Sequence, residues 1–246
     1  AAGGRAGLAF TTQPEIEIQT ASNSVVTTNG TTLAVTASLT GGTGSLVGQT
    51  TVNAVAGVAE FTDLGIGGLV SGTYELSFTA TYLSNPAMTV AQSAITISFG
   101  TASKLALTTQ ASGFVNRSNF ASQPAVTVQD AYDNTVTNYA TAVSVAMTGG
   151  STLSGTPSAT PTSGVATFSG IGAHGLISNT NVLTFTSGAL TSATQSFSLT
   201  HGLATQIAVT TQAAGATNGS AFTTQPIVEI RDQDGNRVST GAQSTQ

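Results

Sequence analysis

The sequence predicts an all-β chain of tandem β-sandwich domains, each about a hundred residues long. They are expected to lie in an elongated rod that ends in a partial repeat. Three observations predict this: one signature recurs at near-constant spacing, short alternating segments are punctuated by turn residues, and the composition is rich in threonine and poor in charge.

The signature comes first because self-similarity decides the architecture. Phe10 to Gln19 reads FTTQPEIEIQ, Phe120 to Gln129 reads FASQPAVTVQ, and Phe222 to Arg231 reads FTTQPIVEIR. A second marker, KLALTTQ from Lys104, returns as QIAVTTQ from Gln206, each ahead of its phenylalanine. A third pairs VAGVAEFTDLGIGG from Val55 with TSGVATFSGIGAHG from Thr162. All three keep the same phase. Residues 1–100 therefore read as repeat one, 101–201 as a complete repeat two, and 202–246 as the first strands of a third. The three aligned phenylalanines are expected at equivalent core positions.

Within repeat two, apolar and polar residues alternate over short runs separated by Gly, Asn, Pro and Ser, as strands and turns require. Strands are predicted at Lys104 to Gln110, Ala125 to Asp130, Ala142 to Thr148, Thr152 to Ser154, Val165 to Ser169, Val182 to Thr186 and Gln195 to Thr200. Period-2 alternation sends Phe168 to the core and Thr167 to water. No segment holds a helical period.

Ala1 to Pro14 aligns without a gap to Ala213 to Pro226, so repeat one is expected to lack its own first strand. The tail carries a strand of that kind at Gln206 to Gln212, followed by a second strand. A two-stranded remnant buries no core. The ends are thus read either as a cut through a longer array or as partners for strand donation between subunits.

Composition supports this reading and excludes others. Hydrophobic residues make up 39% of the chain, with no tryptophan, so each core is built from Val, Ile, Leu, Ala and a few Phe. Only 6% of residues are charged, and 45 threonines take over the surface, where their branched Cβ favours extended backbone. A net charge of −5, with Lys104 the single lysine, leaves no basic stripe for phosphates, so no nucleic acid partner is expected. No apolar run is long enough to span a membrane. With no cysteine, disulfides, thiol catalysis and thiolate metal sites are absent.

The combination of KLALTTQ, FxxQPxVxVQDxxxN, a GVATFSGIG strand and LTFTSGALTSATQSFSLT resembles the bacterial immunoglobulin-like, invasin-type tandem repeats of large extracellular surface proteins. That resemblance implies immunoglobulin-like sandwiches, a secreted or cell-surface location, and work as a stalk, fibre or filament whose partners are copies of itself or neighbouring repeats. Repeat one departs from the pattern after its second strand, where Gln19-Thr20-Ala21-Ser22-Asn23 replaces the acidic turn Gln129-Asp130-Ala131-Tyr132-Asp133-Asn134.

Few residues suggest chemistry. Asp232, Asp234 and Asn236 have the oxygen-rich spacing of a calcium loop, and Asp130, Asp133 and Asn134 form a weaker copy. The same residue types are also what a tight turn needs. No other cofactor is implied. Asn29, Asn116 and Asn218 head glycosylation sequons. His174 is expected in a glycine-rich turn and His201 between repeats, both solvated. Glu15 and Glu17 share one strand face that reads as solvated, and Lys104 is the one candidate donor for an isopeptide crosslink. No catalytic residue is identified, since no acid, base and nucleophile come together, so the chain is not expected to be an enzyme. The alternative to a structural fibre is an adhesin module for a carbohydrate or protein ligand, although Tyr74, Tyr82, Tyr132 and Tyr139 are scattered where sugar binding wants clustered aromatics.

Overall fold

The computed structural model describes residues 1–27, 33–82 and 87–239. The chain is all-β: the described residues contain no helix and their strands form several sheets. They divide into two compact units, one of residues 1–103 with 129–136, the other of residues 104–128 with 137–246.

In the first unit a four-stranded antiparallel sheet runs in the order Met88–Ile95, Tyr74–Ala80, Leu33–Gly41, Thr51–Ala54. Its central strand Tyr74–Ala80 alternates strictly, with Tyr74, Leu76, Phe78 and Ala80 buried. These side chains share one core with Phe10, Ala59, Phe61, Leu64 and Ile66, which come from smaller sheets and their connections. Those sheets place Gly65–Gly68 between Leu8–Ala9 and Gly44–Val47, and pair Glu15–Glu17 with Val58–Glu60 and Gly4–Arg5 in parallel with Ile97–Ser98.

The second unit repeats the plan. Its four-stranded sheet has the order Ser158–Ala159, Val143–Thr148, Asn181–Thr186, Ala193–Phe197. Two three-stranded sheets accompany it: Lys104–Thr109, Ala125–Gln129, Val165–Thr167, and Ser118–Asn119, Gly172–His174, Thr152–Ser154. Phe168 is buried and Thr167 exposed, as alternation requires. The sequence repeat is also a packing repeat: Phe61 and Phe78 meet at 5.4 Å and 59°, and their counterparts Phe168 and Phe185 at 5.4 Å and 58°. Offset, tilted rings of this kind are the favoured aromatic arrangement.

The FxxQP signature is a structural clip. Phe120 is buried, while Gln123 Nε2 donates to the carbonyls of Phe120 (2.8 Å) and Ile171 (3.0 Å) and Gln123 Oε1 accepts from Ile171 N–H at 2.8 Å. Gln13 does the same in the first unit with Phe10 and Leu64. One amide side chain thereby gives the N–H of Ile171 or Leu64 its acceptor and adds a second donor to the carbonyl that already accepts from Phe120 or Phe10 N–H.

Two expectations need correction. His174 is not in a turn but ends the strand Gly172–His174, opposite Thr152, because that glycine-rich run is narrow enough to pair on both edges. The three signature phenylalanines are not equivalent: Phe10 and Phe120 are buried, whereas Phe222 is 44% exposed. The hairpin Ala204–Thr211 with Ile227–Asp232 that follows the second repeat has no further strand over it among the described residues, so nothing covers that ring.

Candidate functional site

The acidic turn is where the chain concentrates its buried polar groups. The turn forms by itself in all three repeats. Its closing hydrogen bond runs from Thr20 N–H to Ser24 O, from Asp130 N–H to Asn134 O, and from Asp232 N–H to Asn236 O, at 2.9, 3.0 and 2.9 Å. The residue before the last is left-handed each time: Asn23 at φ 61°, Asp133 at 68° and Gly235 at 82°. Asn, Asp and Gly are the residues that tolerate this conformation. Repeat one makes the turn with a threonine hydroxyl, since Ser24 N–H donates to Thr20 Oγ1 at 3.2 Å. The acid is therefore not needed for the turn, and its burial elsewhere has another cause.

That cause is docking. In the second unit Asp232 is 1% exposed, and its Oδ2 accepts from Gly202 N–H and from Asn116 Nδ2, both at 2.8 Å. Its Oδ1 accepts from the backbone N–H of Asp234 (3.0 Å) and Asn236 (2.9 Å). Asn236, also buried, donates through Nδ2 to Gly175 O and accepts at Oδ1 from Ile177 N–H, each at 2.9 Å. The first unit repeats this frame. Asp130 Oδ2 accepts from Gly100 N–H at 2.7 Å, Asn134 Nδ2 donates to Gly68 O at 2.9 Å, and Asn134 Oδ1 accepts from Val70 N–H at 2.9 Å. A buried carboxylate is tolerated only where N–H donors replace its lost water, and here they do.

The electrostatics follow. Burial pushes the Asp232 carboxyl up, but the bonds from Gly202 N–H, Asn236 and Asn116 outweigh it and hold the group at about 2. Asp130 is likewise lowered, its desolvation outweighed by bonds from Asn134, Gly100 N–H and Tyr132 N–H. Asp234 is lowered first by Arg117, which grips it bidentately through Nε to Oδ2 at 2.8 Å and Nη2 to Oδ1 at 2.7 Å.

The structure brings Asn116 together with Asp232, Asp234 and Asn236, which the sequence separates by more than a hundred residues. As candidate calcium ligands, these oxygens already face N–H groups, so an ion would have to displace donors that are part of the fold. No group of three or more His, Asp or Glu that could hold a metal occurs among the described residues. Asn116 is 2% exposed and its Nδ2 bonds both Asp232 and Asp234, so a glycan on that nitrogen would require the docked turn to open. Asn218 is exposed, and Asn29 lies outside the described residues. Glu15 and Glu17 are exposed on the strand facing Val58–Glu60. His201 is half-buried, with Nδ1 3.1 Å from Gly202 O. Arg117 and the backbone amides of Gly202 and Ile177 are the partners that sequence reasoning missed. In the sequence Arg117 and Ser118 stand only as the second and third residues of the sequon that Asn116 heads, and backbone donors carry no sequence signal.

Two apolar surfaces complete the inventory. In the first unit a groove of about 190 Å³ lies between Glu15–Glu17 and Met88–Ile95, lined by Ile16, Ile18, Val35, Phe78, Ala80 and Val90. Ile16 and Ile18 are half-buried there, whereas their counterparts Val126 and Val128 are fully buried beside the strand Lys104–Thr109. That strand bridges to Thr191, with Leu105 N–H donating to Thr191 O at 2.8 Å. The second surface is the hairpin face made by Ile207, Val209, Val228 and Ile230, which pair directly across the two strands. Ile207 is 76% exposed where its counterpart Leu105 is 5% exposed.

No family model matches the chain, and no curated protein matches it. Among solved structures, a β-glucuronidase from Parabacteroides merdae is similar over 67% of this chain and 21% of its own, at 13% identity and a TM-score of 0.30. The same enzyme with glycerol in its active site gives 67%, 20%, 13% and 0.30. The chain thus spans about a fifth of that enzyme, and similarity at this level carries no argument about fold or activity.

Proposed function

We propose that this chain is a structural extracellular protein: a line of immunoglobulin-like β-sandwich repeats that forms a surface stalk, fibre or filament. The observation that carries the reading is the docked turn. In the second unit the turn of the third repeat is bonded into the second repeat through Asn116, Gly175 and Ile177 and is closed by Gly202 at the repeat boundary, and the turn of residues 130–134 makes the matching bonds to Gly68, Val70 and Gly100 in the first unit. A link found at both acidic turns suits a mechanical array, since buried, oriented hydrogen bonds fix each docked turn in place where a flexible linker would not. The near-uncharged, Thr-rich surface keeps repulsion between neighbouring rods small.

The apolar groove and the bare hairpin favour strand addition as the way molecules join. In this reading the strand Ala204–Thr211 of one molecule enters the groove beside Glu15–Glu17 of the next, as Lys104–Thr109 fills the equivalent place within the second unit. Backbone ladders then run between molecules, and Ile207 and Val209 leave water.

Electron microscopy of the purified protein over a concentration series, together with native material, tests the proposal. Extended assemblies with a repeat along their length are expected. Compact monomers that never associate, with no fibres in native material, would overturn it.

A further inference from the structure

The two docked turns, Asp130-Ala131-Tyr132-Asp133-Asn134 and Asp232-Gln233-Asp234-Gly235-Asn236, share their first and last residues and differ at the three between, of which the third of the turn carries the largest change of chemistry. In the first unit that residue is Tyr132, whose ring packs against the core. It lies on two glycines: a Cβ added to Gly7 would come within 2.7 Å of the ring, and one added to Gly67 would overlap it. In the second unit the third residue is Asp234. The positions that receive it have changed with it. Alignment of the repeats places Asn116 where Ala6 stands, Arg117 where Gly7 stands, and His174 where Gly67 stands. Asn116 donates to Asp234 at 2.8 Å, Arg117 holds both of its oxygens, and His174 adds a favourable electrostatic contribution.

Arg117 makes the exchange costly to explain otherwise. It sits at φ 63°, in the left-handed region where its counterpart Gly7, at 75°, is relaxed. A long side chain is held in a glycine conformation, and such strain persists where the side chain is needed.

We propose that these positions form a reading site: each repeat selects the turn that docks into it by the chemistry of that turn's third residue. The surface of Asn116, Arg117 and His174 accepts an acidic residue. The glycine floor of Gly7 and Gly67 accepts an aromatic ring. The shared bonds to Asp and Asn supply attachment, and the third residue supplies specificity, so repeats of an array are not interchangeable in order. A tyrosine brought to the second surface meets a guanidinium and an imidazole where it needs open floor. An aspartate brought to the first surface sets a carboxylate against apolar core. Discrimination of this kind depends on misfit with the wrong partner as much as on attraction to the right one. The inference concerns only which turn fits which repeat and does not rest on fibre formation.

Hydrogen exchange of the full chain, read at the amides of Gly202 and Ile177, reports the second junction directly. Asp234→Tyr is expected to speed exchange there roughly tenfold or more, the effect of losing charge-assisted bonds at a locally opening site. Adding Asn116→Ala, Arg117→Gly and His174→Gly recreates the glycine floor, and this four-site variant is expected to exchange more slowly than Asp234→Tyr alone. Asp234→Asn, which keeps shape and volume, guards against a tyrosine that merely disrupts folding and is expected to speed exchange less than the tyrosine does. Unchanged exchange in Asp234→Tyr overturns the proposal, as does a four-site variant no slower than Asp234→Tyr. Exchange in Asp234→Asn as fast as in the tyrosine variant also overturns it, since misfit would then play no part.

Discussion

At the scale of single residues, the division of labour within one turn is the main result. Thr20 closes the same turn that Asp130 and Asp232 close, so local chemistry explains the turn and leaves the burial of the acids to docking. This has a pH signature. The Asp232 carboxyl is held at about 2 against an ordinary 3.8, because bonds from Gly202, Asn236 and Asn116 outweigh desolvation. A carboxyl depressed on folding stabilises above its unfolded value and loses that contribution as pH falls through its folded value. For Asp232 the contribution is about 2 kcal/mol, complete above roughly pH 5 and lost as pH falls toward about 2. Asp130 and Asp234 shift in the same direction and add to the slope. Thermal melts across that range should show a steeper fall for the parent protein than for Asp232→Asn. Parallel slopes would mean the carboxylate is not coupled to folding.

At the scale of elements, most strands of repeat two were legible because each satisfies two conditions at once, alternation and flanking turn residues. Lys104–Thr109, Thr152–Ser154 and Asn181–Thr186 lie within a residue of where the pattern puts them. Ser118–Asn119, Ser158–Ala159 and Gly172–His174 were not legible. They are two or three residues long, too short to show a period, and they exist because a neighbouring strand offers them a ladder. The signature glutamine behaves likewise. Gln123 makes its full set of bonds to Phe120 and to buried Ile171, while Gln225 keeps only the local bond to Phe222 O at 2.8 Å. Gln123→Ala leaves the buried Ile171 N–H without its acceptor, while the Ile171 carbonyl keeps Phe120 N–H, and should cost about 2 kcal/mol. Gln225→Ala should stay within about 0.5 kcal/mol, as for a substitution outside any network. Urea unfolding of the two variants checks the contrast, and equal losses would show that the clip is only local.

At the scale of the whole molecule, the question is what covers the apolar residues that the chain leaves in water. Ile207 at 76% and Val209 at 51% exposure occupy the strand whose counterpart is covered in the second unit, and each buried aliphatic side chain is worth about 1.5–3 kcal/mol. Under the proposed strand addition, this is the face that a second molecule covers. Sedimentation velocity over a concentration series should show self-association, and Ile207→Asp with Val209→Asp should abolish it while leaving the main melting transition unchanged. Association that survives the double substitution would place the contact elsewhere.

The sequence by itself determined the all-β class, the repeat and its phase, most strands of the second repeat, and the location of the acidic turns, because alternation, turn chemistry and self-similarity are local or periodic properties written in residue order. Only the tertiary structure decided what those acids do. The donors that bury Asp232 are the Gly202 amide, in a glycine any loop could carry, and Asn116, more than a hundred residues away in the chain. Partnerships between backbone groups and distant side chains arise from packing, and no spacing rule announces them.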